Sequence, residues 1–418
     1  MHDAPLRHAV SPARVRRRWW TAAALVLLLA GSAAAAYTFT DRRQREVVPY
    51  TRAAQPVVED NHLVDRRTGR VFVPRGVNWN SFEYACAQGW GLSNLDTLPG
   101  PDAAADEASA IAAWGANTVR LPLNQDCWLG TRGAPVSDRF EDRTVEDYRA
   151  EVAGLVGALN EAGLVVVLDL HSRKRIGSAE FGNLAMPDPE SLAFWSSVAM
   201  AYADHPSVMF DAFGEPYSRR DPAGRAIFEL TWRCWRDGEC RAPVEDAESA
   251  TNGRVTYAAQ GMDRVVQAIR GAGARQPILL AGLDGANDLT HWLEFAPDDD
   301  QLVASFHSYD DLACATRACW DATVAPLSGS VPVVTTELGA TRPRDGYVES
   351  YLDWADRHGV GSLFWVWSGG SDPLSLTAGP TPTAYGEIAR AYLAGAAART
   401  APGTPGTEGS DGPRGLSQ

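Results

Sequence analysis

The sequence predicts an α/β fold, a (β/α)8 TIM barrel behind one N-terminal transmembrane or signal helix, on three observations. Short apolar runs alternate with amphipathic stretches eight times within residues 61–396. Most of the runs lack polar alternation, as parallel strands buried on both faces do. Polar residues gather where the runs end, the face on which such a barrel builds its site. With 418 residues and 45% hydrophobic content, the chain can bury a core large enough for two ordinary domains or one barrel. A doubly wound sheet is the structural alternative. It needs neither eight units nor polar strand ends, and no GxGxxG follows the first run.

The elements follow in order. Residues 1–18 are basic, with Arg14, Arg16, Arg17 and Arg18 just before an uncharged stretch of 21 residues, 19–39. That length is close to the roughly 20 residues a helix needs to cross a bilayer. Small residues at Ala33 to Ala36 would suit signal-peptide cleavage, whereas the length and the flanking DRRQR suit an uncleaved anchor. The basic flank places the N-terminus in the cytoplasm, against the weight of Arg42, Arg43 and Arg45 on the far side. Residues 40–60 read as a polar linker, 61–396 as the barrel and 397–418 as a low-complexity, disordered tail.

The strand runs are 73–79, 117–123, 164–170, 207–213, 277–283, 302–308, 331–338 and 362–368. Helical patterns lie between them: ASAIAAWG, TVEDYRAEVAGLVGALNEAG, SLAFWSSVAMAYADH, VTYAAQGMDRVVQAIRGAG and YVESYLDWADRHG, several stopped by Gly as a C-terminal cap would be. The longest insertion, Tyr217 to Asn252, follows the fourth run and is expected to shape one end of a cleft.

Charge is uneven. Of the net −14, the first 52 residues carry nine Arg against three acids, so the remainder holds about −20. An acidic body argues against a nucleic-acid partner. An exported chain with six cysteines points to disulfides. Cys234 with Cys240 and Cys314 with Cys319 would close short loops, which leaves Cys86 and Cys127 in loops on one rim. Metal binding competes weakly, since no CxxC and no zinc-spaced His accompanies them. The acidic run Asp298, Asp299, Asp300 lacks the spacing of a calcium loop and reads as a solvated turn, with His291 nearby. No cofactor or metal site is expected, and a monomer is.

Two runs end in a glutamate, VMFDAFGEP at Glu215 and VPVVTTELG at Glu337. A carboxylate pair delivered from two strand ends is what cleavage of a glycosidic bond requires, one to protonate the leaving oxygen and one to meet the oxocarbenium. The other strand ends supply Arg120, His171, His307, Tyr309, Trp365 and Trp367. Trp79, Tyr84, Trp90 and Trp128 lie in loops after the first two runs, mostly packing residues, with one or two as possible sugar platforms.

The stretches WGANTVRLPLNQDCWLG, VVVLDLHS, VMFDAFGEPY, SFHSYDD, VVTTELG and LFWVWSGG together resemble glycoside hydrolase family 5, the cellulase family of clan A, from Asn61 to Ala394. FEYACAQGWGL, WRCWRDGEC and ACATRACW are similar to secreted bacterial, endoglucanase-like members. The resemblance implies that Glu215 is the general acid/base, with a raised pKa, and Glu337 the nucleophile of a retaining reaction. It further implies that Arg120 and Tyr309 bond Glu337, that His171 and His307 line the subsite, and that Trp367, or else Trp365, stacks on the sugar. An extracytoplasmic endo-β-glycosidase acting on a β-glucan-like polysaccharide follows, secreted or membrane-anchored. Alternatives are a tethered carbohydrate-binding pseudoenzyme and a glycosidase of glycoconjugates. One position departs from the family pattern. Gly214 stands where the family has an Asn that bonds the sugar 2-hydroxyl, which implies weak activity, another donor, or a substrate altered at C2.

Overall fold

The computed structural model describes residues 52–98, 100–136, 143–174, 181–221, 223–244, 255–342, 346–367 and 372–400. Segment 19–39, proposed to cross or enter a membrane, lies outside them, as does the tail from 401. Among the described residues no helix is long and apolar enough to cross a membrane.

All eight expected runs form strands: β1 (Arg75–Asn78), β2 (Thr118–Asn124), β3 (Val165–Lys174), β4 (Val208–Asp211), β5 (Ile278–Ala281), β6 (Leu302–Tyr309), β7 (Val333–Gly339) and β8 (Gly361–Phe364). They pair in parallel from β1 round to β8, and β8 pairs β1, so the sheet closes. Closure removes the edges, and the covering helices bury the outer face, which is why the runs read as unbroken apolar stretches. Val165, Val167, Met209, Leu279, Val303, Val334 and Leu363 fill the barrel interior. The opposite faces of the strands join the larger core beneath the helices.

Helices α1 (Ala103–Ala113), α2 (Val145–Glu161), α3 (Pro189–Tyr202), α4 (Met262–Gly271), α5 (Tyr347–Arg357) and α6 (Ala384–Thr400) account for most of the crossovers. Helix α2 begins in a reciprocal capping box between Thr144 and Asp147, and α3 in one between Asp188 and Ser191 with Pro189 at its first position. The crossovers after β5 and β6 are broken into short pieces, Trp292–Phe295 and the consecutive turns from Arg317 to Ser328.

Three boundaries differ from the sequence expectation. Pro56–Glu59, counted with the linker, is a strand of an antiparallel sheet with His62–Asp65 and Arg70–Val71. Its Val58, with Ala53, Leu63 and Phe72, packs onto the barrel interior and plugs its lower end. VTYAAQ, expected as helix, contains strand Thr256–Ala258, paired with Arg241–Pro243 in the insertion after β4. Helix α6 runs on to Thr400, past the expected start of the tail at 397.

The upper rim is fastened by side chains that α3 and two short helices send back to the strands. The indole N–H groups of Trp195, Trp235 and Trp292 donate to the carbonyls of Ala212, Ala281 and Leu280 at 2.7, 2.8 and 2.9 Å. Each gives a buried indole N–H a backbone partner, at about 1 kcal/mol apiece. Disulfides join Cys86 to Cys127, Cys234 to Cys240 and Cys314 to Cys319, the pairs expected from proximity. The first ties the loop after β1 to the helical turn after β2. The other two close loops after β4 and β6.

Candidate active site

Arg120, on β2, is wholly buried and organises the upper end of the barrel. Its guanidinium donates from Nε to Asp211 at 2.9 Å and from Nη1 to Glu337 at 2.8 Å, while Nη2 pairs with Asp169 at 2.9 Å as an ion pair without hydrogen-bond geometry. The carbonyl oxygen of Asn78 accepts a further bond from Nη1 at 3.0 Å. Asn78 donates in turn to the carbonyls of Thr336 and Phe364, at 2.8 and 3.2 Å, and so links β1 to β7 and β8. The planar guanidinium spreads its charge and donors toward three carboxylates on different strands, where an ammonium would concentrate them at one point. Burial works against the Arg120 charge, but Asp169, Asp211 and Glu337 outweigh it and raise its pKa. Asp211 shows the reverse balance, for burial prevails over Arg120 and pushes its carboxyl up to about 7.

Glu337 reaches this cluster through an irregularity in β7. Phe306 pairs Thr335 while the next residue, His307, pairs Glu337, so Thr336 is an extra residue in β7. The register with β8 shifts over the same stretch. A bulge of this kind reverses the alternation beyond it, and Glu337 turns to the side on which Val334 already faces. The Tyr309 hydroxyl then donates to Glu337 Oε2 at 2.8 Å. Burial and the charges of Glu337 and Glu215 hold the Tyr309 phenol well above its usual range, so it stays a donor.

Glu215 follows β4, one third of its side chain exposed. His307 Nδ1 lies 3.0 Å from Glu215 Oε1 and 3.6 Å from Glu337 Oε2. The three groups offer polar atoms within 4.8 Å of one another. The structure reverses the sequence expectation of a raised Glu215 pKa. Burial pushes it up, but the His307 hydrogen bond and the charges of His307, His171 and Arg120 draw it down to about 2.

His171, on β3, points its Nδ1 at Asp169 Oδ2, 2.9 Å away. Burial alone would lower its pKa, but Asp169 and Glu337 raise it to about 9, so the ring is an imidazolium at neutral pH. It also stacks on Trp365, with centroids 5.8 Å apart and planes 18° from parallel. Gly214 lies against this group. A β-carbon there would meet His171 Nδ1 at 3.0 Å, Arg120 Nη2 at 3.1 Å and Asp169 Oδ1 at 3.2 Å.

The two tryptophans after β8 exchange the places expected of them. Trp367 is only 4% exposed, its indole N–H bonds Glu107 at 2.7 Å, and its ring packs edge-on against Trp114. It is a packing residue with little face to offer a sugar. Trp365 is the partly exposed one, its indole held by Asp372 at 3.3 Å. Of the loop aromatics, Trp79 and Trp128 are buried, whereas Tyr84 and Trp90 stay partly exposed with ring centroids 5.6 Å apart. Asp299, from the acidic run, is clamped by Arg270 at 2.7 and 2.8 Å, a structural pair, and His291 pairs with Glu294 on the surface.

Sequence reasoning missed Asn78, Asp169 and Asp211. The two aspartates carried a usable signal. Asp169 lies two residues before His171, and Asp211 two after the inward-facing Met209, so period-two alternation puts each on the barrel's inner side.

The family model of cellulase, glycosyl hydrolase family 5, matches residues 76–371, most of the barrel just described. Among solved structures, the chain is similar to a β-glucanase from Saccharophagus degradans in complex with cellotetraose. The TM-score is 0.61 at 19% identity, over 82% of this chain and 94% of that one. It is also similar to an endocellulase from Pyrococcus horikoshii in complex with cellotetraose, with TM-score 0.58, 16% identity and coverage of 81% and 98%. A third is the catalytic domain of a Streptomyces mannanase, with TM-score 0.50, 21% identity and coverage of 80% and 89%. At these identities the likenesses speak for the fold, while the family match spans well over half of the chain. The chain belongs to glycosyl hydrolase family 5, and it is a glycoside hydrolase.

Proposed function

We propose that this enzyme is a retaining endo-β-glycosidase that cleaves a β-glucan-like polysaccharide by double displacement. The observation that carries the reading is the unequal bonding of two close carboxylates. Their nearest oxygens lie within 4.8 Å, in keeping with the roughly 5–5.5 Å of retaining enzymes and short of the 6.5–9.5 Å that leaves room for an inverting water. Glu337, held by Arg120 and Tyr309, is aimed as a nucleophile must be. Glu215 is reachable from solvent and has one imidazole partner, which leaves its other oxygen for the leaving group.

Sugar binding reverses the low pKa of Glu215. A bound sugar excludes the water that reaches its exposed third, and two carboxylates this close cannot both stay charged once water is gone. Both oxygens of Glu337 already accept hydrogen bonds, from Arg120 and Tyr309, so the proton goes to Glu215. Attack of Glu337 on C1 forms the glycosyl ester while Glu215 protonates the leaving oxygen. Glu215, now a carboxylate, then takes a proton from the water that hydrolyses the ester. Three disulfides support a site of action outside the cytoplasm, secreted or anchored through residues 19–39.

The test is Glu215→Ala with two classes of substrate. Turnover of a soluble β-glucan or mannan should fall by about 100- to 10,000-fold, the usual worth of a general acid/base. A dinitrophenyl β-glycoside, which needs no acid to leave, should form the glycosyl-enzyme in a burst, and azide should release it as the β-azide. An α-azide product, or no burst, would overturn the retaining assignment.

The Trp365, Tyr84 and Trp90 rings provide the aromatic surface for sugars beyond the cleaved bond. Trp90→Ala should raise KM for oligosaccharides of four or more units about tenfold, the equivalent of ~1.4 kcal/mol of stacking. It should leave an aryl monoglycoside unchanged, which steady-state kinetics on the two substrates will show.

A further inference from the structure

We infer that Asn287, with the left-handed turn that precedes it, positions His307 and Glu215 against each other, so that the turn after β5 governs delivery of the proton to the leaving group. The inference rests on the proposed reaction, in which Glu215 is the acid/base. It adds the residues that fix where Glu215 meets its imidazole partner.

The turn runs from Leu283 to Asp288 and closes on itself. Leu283 and Asp288 exchange backbone hydrogen bonds at 3.0 Å in each direction, and the Asn287 N–H donates to the Leu283 carbonyl at 2.9 Å. Between them Asp284, Gly285 and Ala286 stand at φ of 51°, 66° and 61°. A single residue in the left-handed region is ordinary. Three in succession, two of them with a side chain, persist only where the surroundings hold them. What holds them is contact with the chain on both sides of β5. The Gly285 N–H donates to the carbonyl of Pro216, the residue after Glu215, at 2.9 Å. The Asn287 amide donates from Nδ2 to the carbonyl of His307, on β6, at 2.8 Å. One turn thus grips the main chain at or beside each member of the pair whose side chains meet at 3.0 Å.

Asn287 is itself fixed. It is 4% exposed, and its Oδ1 accepts the backbone N–H of Cys314 at 2.7 Å. With a carbonyl on one side and an N–H on the other, only one orientation of the amide satisfies both. Cys314 is tied in turn by its disulfide to Cys319 and by its carbonyl, which accepts the indole N–H of buried Trp320 at 3.0 Å. The grip on His307 is therefore anchored in the packed wall of the barrel. Asn287 acts through His307 and is a positioning residue. The charges that face Glu215 are those of His307, His171 from β3 and Arg120 from β2, with Glu337 from β7 and the Tyr309 phenol close by. Of these groups His307 supplies the hydrogen bond, so its placement decides how Glu215 holds its proton.

Two aryl β-disaccharides test this, alike in sugar but with a phenyl or a 2,4-dinitrophenyl leaving group, of which only the first needs an acid. Asn287→Ala should lower kcat/KM about 30-fold on the phenyl compound and less than about threefold on the dinitrophenyl one. Asn287→Asp is nearly isosteric and still accepts from Cys314, but it lacks the donor to His307. It should show the same selectivity. In both variants the limb on which kcat/KM for the phenyl compound falls with rising pH should move to higher pH, because a slackened His307 bond draws the Glu215 pKa down less. Equal losses on the two compounds, an unmoved limb, or wild-type rates in Asn287→Asp would overturn the positioning role and leave the proposed reaction standing. A wild type that turns over neither compound would overturn both.

Discussion

Glu337→Gln should abolish turnover while leaving the fold as stable as before, or slightly more so. Loss of a covalent nucleophile costs on the order of 10^5-fold or more in kcat, because the remaining groups act as a unit with it. The amide is nearly isosteric, and its carbonyl can still accept from Arg120 Nη1, 2.8 Å from the present Oε1. Tyr309 can turn its hydroxyl to accept from the amide nitrogen. Removing one of three negative charges around a single guanidinium relieves repulsion among Asp169, Asp211 and residue 337. Thermal unfolding followed beside initial rates on a soluble β-glucan checks both halves. Unlike Glu215→Ala, this variant should form no glycosyl-enzyme even with a dinitrophenyl leaving group. A burst from Glu337→Gln would mean that another residue attacks C1.

The barrel and its two glutamates were legible because both depend on short-range pattern. Eight apolar runs without alternation mark strands buried on both sides, and a carboxylate just past such a run has nowhere to be but the rim. What surrounds the glutamates depends on contacts far apart in the chain. His307 and Glu215, which set the charge of the acid, are 92 residues apart, and Arg120 and Glu337 are 217 apart. No local pattern states the sign of a pKa shift that such a partner produces. The bulge at Thr336 left no trace either, since a threonine sits as well in a regular strand as in a bulged one. The two tryptophans were misjudged because both follow Phe364, the end of β8, where period-two alternation no longer applies. Glu107, which takes the Trp367 indole, also takes that of Trp79, so both rings are drawn into the packed wall. The segment VTYAAQ was misread because a short apolar run fits helix or strand alike, and its partner strand is set by the insertion fold.

Arg120→Met should give the largest loss of stability of any single substitution in the site. Buried ion pairs add little net stability over an apolar alternative, but removing one partner leaves the other charges desolvated and unpaired. Here one side chain balances three carboxylates, so the cost is about 3–5 kcal/mol, which corresponds to a fall in Tm of roughly 4–7 °C for a barrel of this size. The sign of the pH dependence identifies the cause. Without Arg120, the burial that raises the Asp211 pKa above its unfolded value loses its largest offset, so the folded state binds more protons between the two. Its stability then rises as pH falls through the raised value, and is lost as pH climbs past it. Asp211 already stands at about 7 with Arg120 in place, so the window opens near neutrality and extends down toward the ordinary carboxylate range. The Tm deficit of Arg120→Met against the wild type should therefore be clearly smaller at pH 5 than at pH 8. Adding Asp211→Asn to the variant should recover part of the deficit at pH 8 and little at pH 5. A deficit independent of pH would trace the loss to packing of the methionine and not to stranded charge. Activity should disappear along with the pairing, for Glu337 would lose the hydrogen bond that aims it.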